Sequence, residues 1–404
     1  MHILIIPSER YVPAGSPLEG IFQQHQAKAL SRAGHTVGVL SPPELWSIHL
    51  IGRVLKGHPS GIREEIIDGL PVLRCYGWIP PRISSRWLWL WFWQMAGRRL
   101  YAHYVSAYGS PDVIHAHNAR FAGILAEQIK REYHIPYVLT EHSSEYARNL
   151  IPGDEMKHLA SAFRNADARI VVSPGLGAVL ERVVGDSSYP WQYIPNILDN
   201  KFEYQNIELA ANKTHDLEFC FLNVGALVEN KGQADLLHAF AARFSGDRTV
   251  TLRIGGDGEL RPRLEELSSQ LGISQQVSFL GELQHEQVLK EMRQCDAYVH
   301  SSHYETFGVV VIEALACGKP VVSTTCGGPE YIVKSHNGVL VPVGDIDALG
   351  NAMAEMHITA DRYDKTLIRQ DCIAQYGERA VITQLSQLYR ALGSSSQNRE
   401  RKCQ

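Results

Sequence analysis

Ser301-Ser302-His303-Tyr304-Glu305-Thr306-Phe307-Gly308-Val309-Val310-Val311-Ile312-Glu313-Ala314-Leu315-Ala316-Cys317-Gly318-Lys319-Pro320 runs from a polar loop straight into an apolar helical pattern. The preceding run, 297–299, reads as a buried strand. The helix is predicted to open near Phe307 to Val309 and to close at Gly318, after which 320–323 resumes as a strand. Strand, loop, helix and strand at this spacing is one repeat of a parallel sheet. The first amides of the helix, on Phe307, Gly308, Val309 and Val310, lack intrahelical acceptors and point out of its start, where they can hold a phosphate. Glu305 lies in the loop at that opening and Glu313 over a turn further on. Taken singly, either glutamate reads as a helix-dipole acid or an exposed helix residue. Glu313, however, stands among Val310, Val311, Ile312, Ala314 and Leu315, where an acid is expected to be partly buried and to need a partner.

The same rhythm extends in both directions. Runs at 2–6, 36–40, 72–76, 113–116, 137–140 and 169–172 read as strands, with a helix over 22–33 that Gly34 ends and further helices between the later strands. After the weakly periodic stretch 199–216 the pattern restarts, with strands at 219–224, 250–254, 277–280, 297–299, 320–323 and 338–341. The expected architecture is α/β, with two doubly wound parallel-sheet domains: 1–198, and 199–393 with a last helix that can pack back on the first domain. The small, polar and charged segment 394–404 is expected to be a disordered tail. Ligands of open parallel sheets bind beyond the carboxyl ends of the strands. That rule directs attention to 10–20, His117-Asn118, Glu141-His142-Ser143-Ser144, Gly225 to Lys231, Gly255 to Glu259, Gly281-Glu282 and His300 to Gly308. Two facing sheets with such loops would enclose a cleft.

Composition agrees with a folded, two-domain chain. Its 404 residues exceed the roughly 250–300 at which a single core stops growing, and 45% apolar and 20% charged residues are ordinary for a globular protein. Seven scattered cysteines without a Cys-x-x-Cys pair argue against a disulfide framework or a zinc ribbon. The sequence contains neither a signal-peptide pattern nor an apolar run long enough to span a membrane, so a cytoplasmic location is expected. The net charge of −4 hides an asymmetry: residues 1–198 carry 19 basic and 16 acidic side chains, and 46–110 carry eight and three. A basic surface this modest suits anionic lipid or phosphate and argues against a nucleic-acid partner.

The segment 304–322, YETFGVVVIEALACGKPVV, with the turn Gly327-Gly328-Pro329-Glu330, resembles the signature of glycosyltransferase family 4. Nine further segments resemble family segments in family order, at 20–40, 112–117, 136–144, 171–180, 193–199, 224–232, 254–272, 277–283 and 340–345. The resemblance implies the GT-B fold, two Rossmann-like domains facing across a cleft, and a retaining transfer of a hexose from a nucleoside-diphosphate sugar. It makes Glu305 the carboxylate near donor-sugar hydroxyls, Glu313 the ligand of the ribose hydroxyls and Lys231 the diphosphate contact. Gly225, Gly256 and Gly15, with Phe307, Gly308, Val309 and Val310, would line the donor site. His142 would face the donor sugar from the acceptor side, with His117 and Asn118 beside it. Many members carry an arginine where this chain has Ala226, so charge compensation falls on Lys231 and the helix-start amides. His115 is expected to turn into the core, on the opposite side of its strand from His117, and Asp345-Ile346-Asp347 to cap a helix. No essential metal or cofactor is expected.

The reaction so implied needs the developing charge on a departing diphosphate to be stabilised, with the leaving phosphate helping to remove the acceptor proton. Competing readings are a GT-B epimerase or phosphorylase, a non-catalytic sugar-nucleotide-binding protein and, least of all, a nicotinamide oxidoreductase, since the Gly-x-Gly-x-x-Gly fingerprint is absent. Trp87 to Trp93 holds four of the seven tryptophans, flanked by Arg82, Arg86, Arg98 and Arg99. It reads either as a buried helix or as a membrane-surface element. From the latter, with the resemblance, come two expectations: peripheral attachment to the inner face of the cell membrane, and a glycan acceptor linked to polyprenyl diphosphate.

Overall fold

Strand runs such as Ile-Leu-Ile-Ile at 3–6 and Phe-Cys-Phe-Leu at 219–222 have no polar face, so they are stable only where both sides of a sheet are covered. The computed structural model, which describes residues 1–12, 20–47, 61–79, 86–185, 190–204 and 218–400, builds two such sheets. The chain divides into two units. The first comprises Met1–Val172, Gly177–Ile194 and Ile382–Gln404, and the second Ser173–Leu176 and Pro195–Val381.

In the first unit the strands are β1 (His2–Pro7), β2 (Thr36–Leu40), β3 (Glu44–Ser47), β4 (Gly61–Ile67), β5 (Leu70–Ile79), β6 (Val113–His117), β7 (Tyr137–Glu141), β8 (Ala168–Val171) and β9 (Gln192–Tyr193). They lie in the order β3-β5-β2-β1-β6-β7-β8-β9, and β4 pairs with β5. All these pairs are parallel except β4 with β5, a hairpin whose turn residues Asp68 and Gly69 have φ of 52° and 79°. Both values belong to the turn type that Asp-Gly favours between strands. The sequence reading missed β3, β4 and the two-residue β9, although Asp68-Gly69 between apolar residues was a legible signal for the hairpin.

The second unit holds β10 (Phe219–Val224), β11 (Val250–Gly255), β12 (Val277–Gly281), β13 (Ala297–His300), β14 (Val321–Thr324) and β15 (Gly338–Val341). They form an all-parallel sheet in the order β12-β11-β10-β13-β14-β15. Its core packs Phe221, Leu252, Ile254 and Val299 from the strands against Leu236, Phe240, Met353 and Met356 from the helices Gln233–Phe244 and Ile346–Thr359. Each such side chain contributes about 1.5–3 kcal/mol by leaving water.

In both sheets the strand order reverses beside the first strand, between β1 and β6 and between β10 and β13. Neighbouring loops diverge at such a point and leave a crevice at the carboxyl ends.

One expectation is corrected at the C-terminus. The last helix runs over Glu378–Glu400, so 394–400 is helical rather than disordered. An uninterrupted apolar stripe leads into it, and Leu385 and Tyr389 are buried in the first unit. The cysteines among the described residues are free thiols.

Candidate active site

In the second unit two loops meet at the point of reversal. After β10 the chain forms a single helical turn, Glu229–Lys231; after β13 it continues through Ser301 to Gly308. Three hydrogen bonds join them. The Ser301 hydroxyl donates to Lys231 O at 2.9 Å, the His303 N–H to Asn230 O at 2.9 Å, and the Asn230 amide to Tyr304 O at 2.9 Å. The loops so held bring Lys231 Nζ to 2.6 Å from Glu305 Oε2. The Thr306 N–H donates to Glu305 Oε1 at 3.1 Å. Burial pushes the Glu305 carboxyl up, but Lys231, then His300 and the hydrogen bonds from Lys231 and Thr306, override it and hold it below the ordinary range. Glu305 is therefore an anion at neutral pH.

The helix beyond it spans Val309–Ala316, with Gly308 as its N-cap at φ 98°. A β-carbon at Gly308 would sit 3.2 Å from Pro329, in a conformation side chains rarely adopt. The amides of Val309 and Val310 open the helix without intrahelical acceptors, while the Phe307 ring is buried. Gly256, at φ 126°, lies against the loop after β10, and a β-carbon there would fall 1.9 Å from Gly225 O. Only glycine allows that approach. Gly225 itself has near-open space above it, the closest atom being Lys231 Cδ at 3.9 Å.

Glu313, inside the helix, is 3% exposed, so its charge has no access to water. Its Oε1 lies 3.5 Å from His285 Nε2, which lies 3.2 Å from Asp199 Oδ2. Burial, with the nearby Asp199 charge, pushes its pKa up to about 8. The two glutamates thus sit on one helix and its entry loop in different protonation states, Glu305 as the anion and Glu313 as the neutral acid at pH 7.

In the first unit the residues at the ends of β6 and β7 form a row of three imidazoles. His115 stacks on His117 with centroids 4.5 Å apart, and His117 on His142 at 5.2 Å. His117 Nδ1 and His142 Nε2 are 2.9 Å apart. The expectation that His115 and His117 face opposite ways is overturned: residues two apart in a strand share a face. Burial pushes His142 down to about 4 and His115 to about 3, and with its two ring neighbours holds His117 well below the ordinary value. All three are neutral at pH 7. Asn118 Oδ1 accepts from the His142 N–H at 3.0 Å. Glu141, fully buried, accepts from the N–H groups of Ala119, His142 and Ser143 at 2.9, 3.1 and 2.9 Å. Burial lifts its pKa to about 7 despite these bonds.

Two family models match this chain: "Glycosyltransferase Family 4" over residues 22–202 and "Glycosyl transferases group 1" over residues 206–366. The protein belongs to the family 4 glycosyltransferases. Glycogen synthase of Mycobacterium tuberculosis is 26% identical, covering 97% of this chain and 95% of its own. The lipopolysaccharide core biosynthesis glycosyltransferase LpsE of Rhizobium meliloti is 31% identical over 56% of this chain and 62% of its own. Among solved structures, Anabaena Alr3699/HepE in complex with UDP superposes with a TM-score of 0.72 at 20% identity, covering 97% of this chain and 100% of its own. The fold is GT-B.

Within the glycosyltransferase, Lys231, Glu305, Gly308, Val309, Val310, Gly225 and Gly256 gather around the β10 and β13 loops, while His117, Asn118 and His142 gather in the first unit. Gly15 lies outside the described residues. Asp345 caps the helix Ile346–Thr359, accepting from the Ala348 N–H at 2.9 Å, and Asp347 is exposed. Sequence reasoning missed Asp199 and His285, distant in sequence from Glu313, and also Gln26 and Tyr389, which contact the imidazole row. It singled out the loop at Glu141 but not its role there.

The tryptophan run opens the helix Arg86–Tyr108, which buries some of its apolar side chains and exposes others. Trp93 is buried and packs on Phe121 with centroids 5.1 Å apart. Leu88, Trp91 and Met95, at helical spacing, are 48%, 54% and 45% exposed. Arg98 pairs with Glu132, and Arg99 is exposed. Among the described residues no helix is long and apolar enough to cross a membrane.

Proposed function

We propose that this glycosyltransferase moves a hexose, with retention of anomeric configuration, from a nucleoside-diphosphate sugar bound in the second unit to a hydroxyl of a glycan acceptor bound in the first. The observation that carries this reading is the Lys231–Glu305 pair at 2.6 Å beside the start of the helix Val309–Ala316. A cation and free amides suit a diphosphate, and an ionised carboxylate suits sugar hydroxyls. Glu313 would take the ribose hydroxyls. On departure of the nucleoside diphosphate, Lys231 and the Val309 and Val310 amides would stabilise the growing negative charge, and a leaving-group oxygen would accept the acceptor proton on the same face of the sugar. No step requires a metal.

We further propose a lipid-linked acceptor and peripheral attachment to the cytoplasmic face of the membrane. The exposed stripe of Leu88, Trp91 and Met95 beside Arg99 supports that placement. The UDP bound to HepE makes uridine donors the first to try. A panel of UDP- and GDP-sugars, scored by thermal shift and then by product mass and anomeric NMR coupling, tests the reading. One donor should stabilise the protein and yield an α- or β-product matching its own configuration. An inverted product, or no stabilisation by any sugar nucleotide, would overturn it.

A further inference from the structure

The histidine row in the first unit has a direction, and the groups around it set that direction. The Tyr389 hydroxyl, buried, lies 2.6 Å from His115 Nδ1, and no other partner contacts that hydroxyl among the described residues. Its proton must therefore go to Nδ1, which makes His115 Nδ1 an acceptor and leaves the ring proton on Nε2, 2.7 Å from Thr140 Oγ1. The Gln26 side chain approaches the same Nδ1 at 2.8 Å. An unprotonated nitrogen repels an amide oxygen, so Gln26 must present its NH2 there. The same NH2 lies 3.4 Å from His117 Nε2, which then also accepts. A neutral imidazole carries one ring proton; in His117 it is on Nδ1 and is donated across 2.9 Å to His142 Nε2. His142 in turn keeps its proton on Nδ1. That atom is covered from solvent and has no hydrogen-bond partner among the described residues.

We propose that Gln26 fixes the polarity of the His115–His117–His142 row, so that His142 presents an Nδ1–H donor, and not a base, to an oxygen of the bound substrate. The substrate-facing half rests on the function proposed above; the polarity does not. A buried donor without an acceptor is costly in the ligand-free protein, and a substrate oxygen relieves that cost. A neutral imidazole that donates can stabilise an oxygen gaining negative charge without changing its own protonation state. Gln26 is a positioning residue: it touches His115 and His117 and acts on substrate through them.

The test reads the tautomer directly. The full chain, labelled with 13C,15N-histidine, is examined by NMR at pH 7.5, and the His142 signals are identified by their loss in His142→Asn. The wild type should show His142 as the Nδ1–H form. Gln26→Met, which keeps the volume but removes the NH2, should bring in the Nε2–H form. An Nε2–H form in the wild type, or a wholly Nδ1–H form in Gln26→Met, would overturn the proposal; if Gln26→Met does not fold, the wild-type spectrum alone decides. Under the transfer reaction, Gln26→Met should also lower kcat by about tenfold while KM for the sugar nucleotide stays unchanged. An unaltered kcat alongside the altered tautomer overturns the substrate-facing half. Absence of transfer from any donor by the wild type overturns the proposed function while leaving the tautomer result intact.

Discussion

In the second unit Lys231 and Glu305 meet as ions, whereas in the first His115, His117 and His142 touch as neutral rings. Both groups stand at the carboxyl ends of strands beside a reversal of strand order, and both are mostly withdrawn from water, the Lys231 and Glu305 side chains keeping 26% and 19% exposure. The difference lies in the neighbours. Glu305 has a cation at 2.6 Å and keeps its charge; the imidazoles have one another and lose theirs. Glu313 shows that the unit itself does not decide. Eight residues along from Glu305, with Asp199 and His285 for company, it is driven to the neutral acid. Charge survives burial here only where an opposite charge was brought in by a second loop.

The sharpest way to break this contrast is to remove the cation. In Lys231→Ala the Glu305 carboxylate is stranded, and affinity for nucleoside diphosphates should fall by about one to two decades, the value of a charged hydrogen-bond partner at about 1.5–3 kcal/mol. Affinity for the parent nucleoside should stay unchanged, and calorimetric titration of both ligands checks it. An equal loss for the two would make the lysine structural.

Next come the glutamates. Glu305→Gln should chiefly lower turnover and Glu313→Ala chiefly weaken nucleotide binding, each by one to two decades on the same scale. Steady-state kinetics beside direct binding separates the two, and equal donor affinity in wild type and Glu313→Ala would remove Glu313 from the nucleotide site.

A smaller effect sharpens the contrast through pH. Glu313 rises from the ordinary 4.5 to about 8 in the fold. Between those values the folded protein holds a proton that the unfolded chain has lost, so stability falls as pH rises across that window. The slope is at most about 1.4 kcal/mol per unit. Glu141, lifted to about 7, acts in the same sense. The histidines act oppositely. His142 drops from 6.5 to about 4, so acidification through that window protonates the unfolded chain first and stability falls as pH falls. Urea midpoints at pH 5, 6.5 and 8 should decline less on the alkaline side in Glu313→Gln and less on the acid side in His115→Asn. Parallel curves for all three proteins would contradict the assigned charge states.

The smallest effect concerns the exposed stripe on the helix Arg86–Tyr108. A basic residue near an anionic surface contributes about 1 kcal/mol. Arg99→Glu should weaken flotation with anionic liposomes more than Arg98→Glu, because Arg98 is already paired with Glu132. If the folded wild type fails to float at low salt, the stripe does not meet lipid and the acceptor is a soluble glycan.

Much of this was readable in the sequence because parallel strands leave a local mark. Runs such as 3–6 and 219–222 are apolar on both faces, and the loop and helix from Ser301 to Gly318 announced themselves by composition alone. What was not readable depended on chain segments meeting. Nothing near Glu313 points to Asp199 or His285, which reach it from 114 and 28 residues away. Tyr389 and His115 are likewise 274 positions apart. The error at His115 was one of strand geometry, and the error at 394–400 came from reading polar composition as disorder where the backbone of the helix Glu378–Glu400 continues.

The Lys231–Glu305 contact also bears on selectivity. An incoming anion finds the ammonium already matched by a counterion of the protein's own, and must displace it. A monovalent anion gains little by that exchange, since it replaces one single charge with another. Under the proposed function, a sugar diphosphate would bring more charge to Lys231 and, at its other end, hydroxyls that would donate to the carboxylate the lysine releases. Each half of such a ligand would lower the cost of seating the other, so the whole would bind more tightly than its separated parts suggest. Chloride should therefore compete weakly, and inorganic diphosphate and free hexose added together should each bind better than either alone. Independent binding of the two would show that the ion pair never opens.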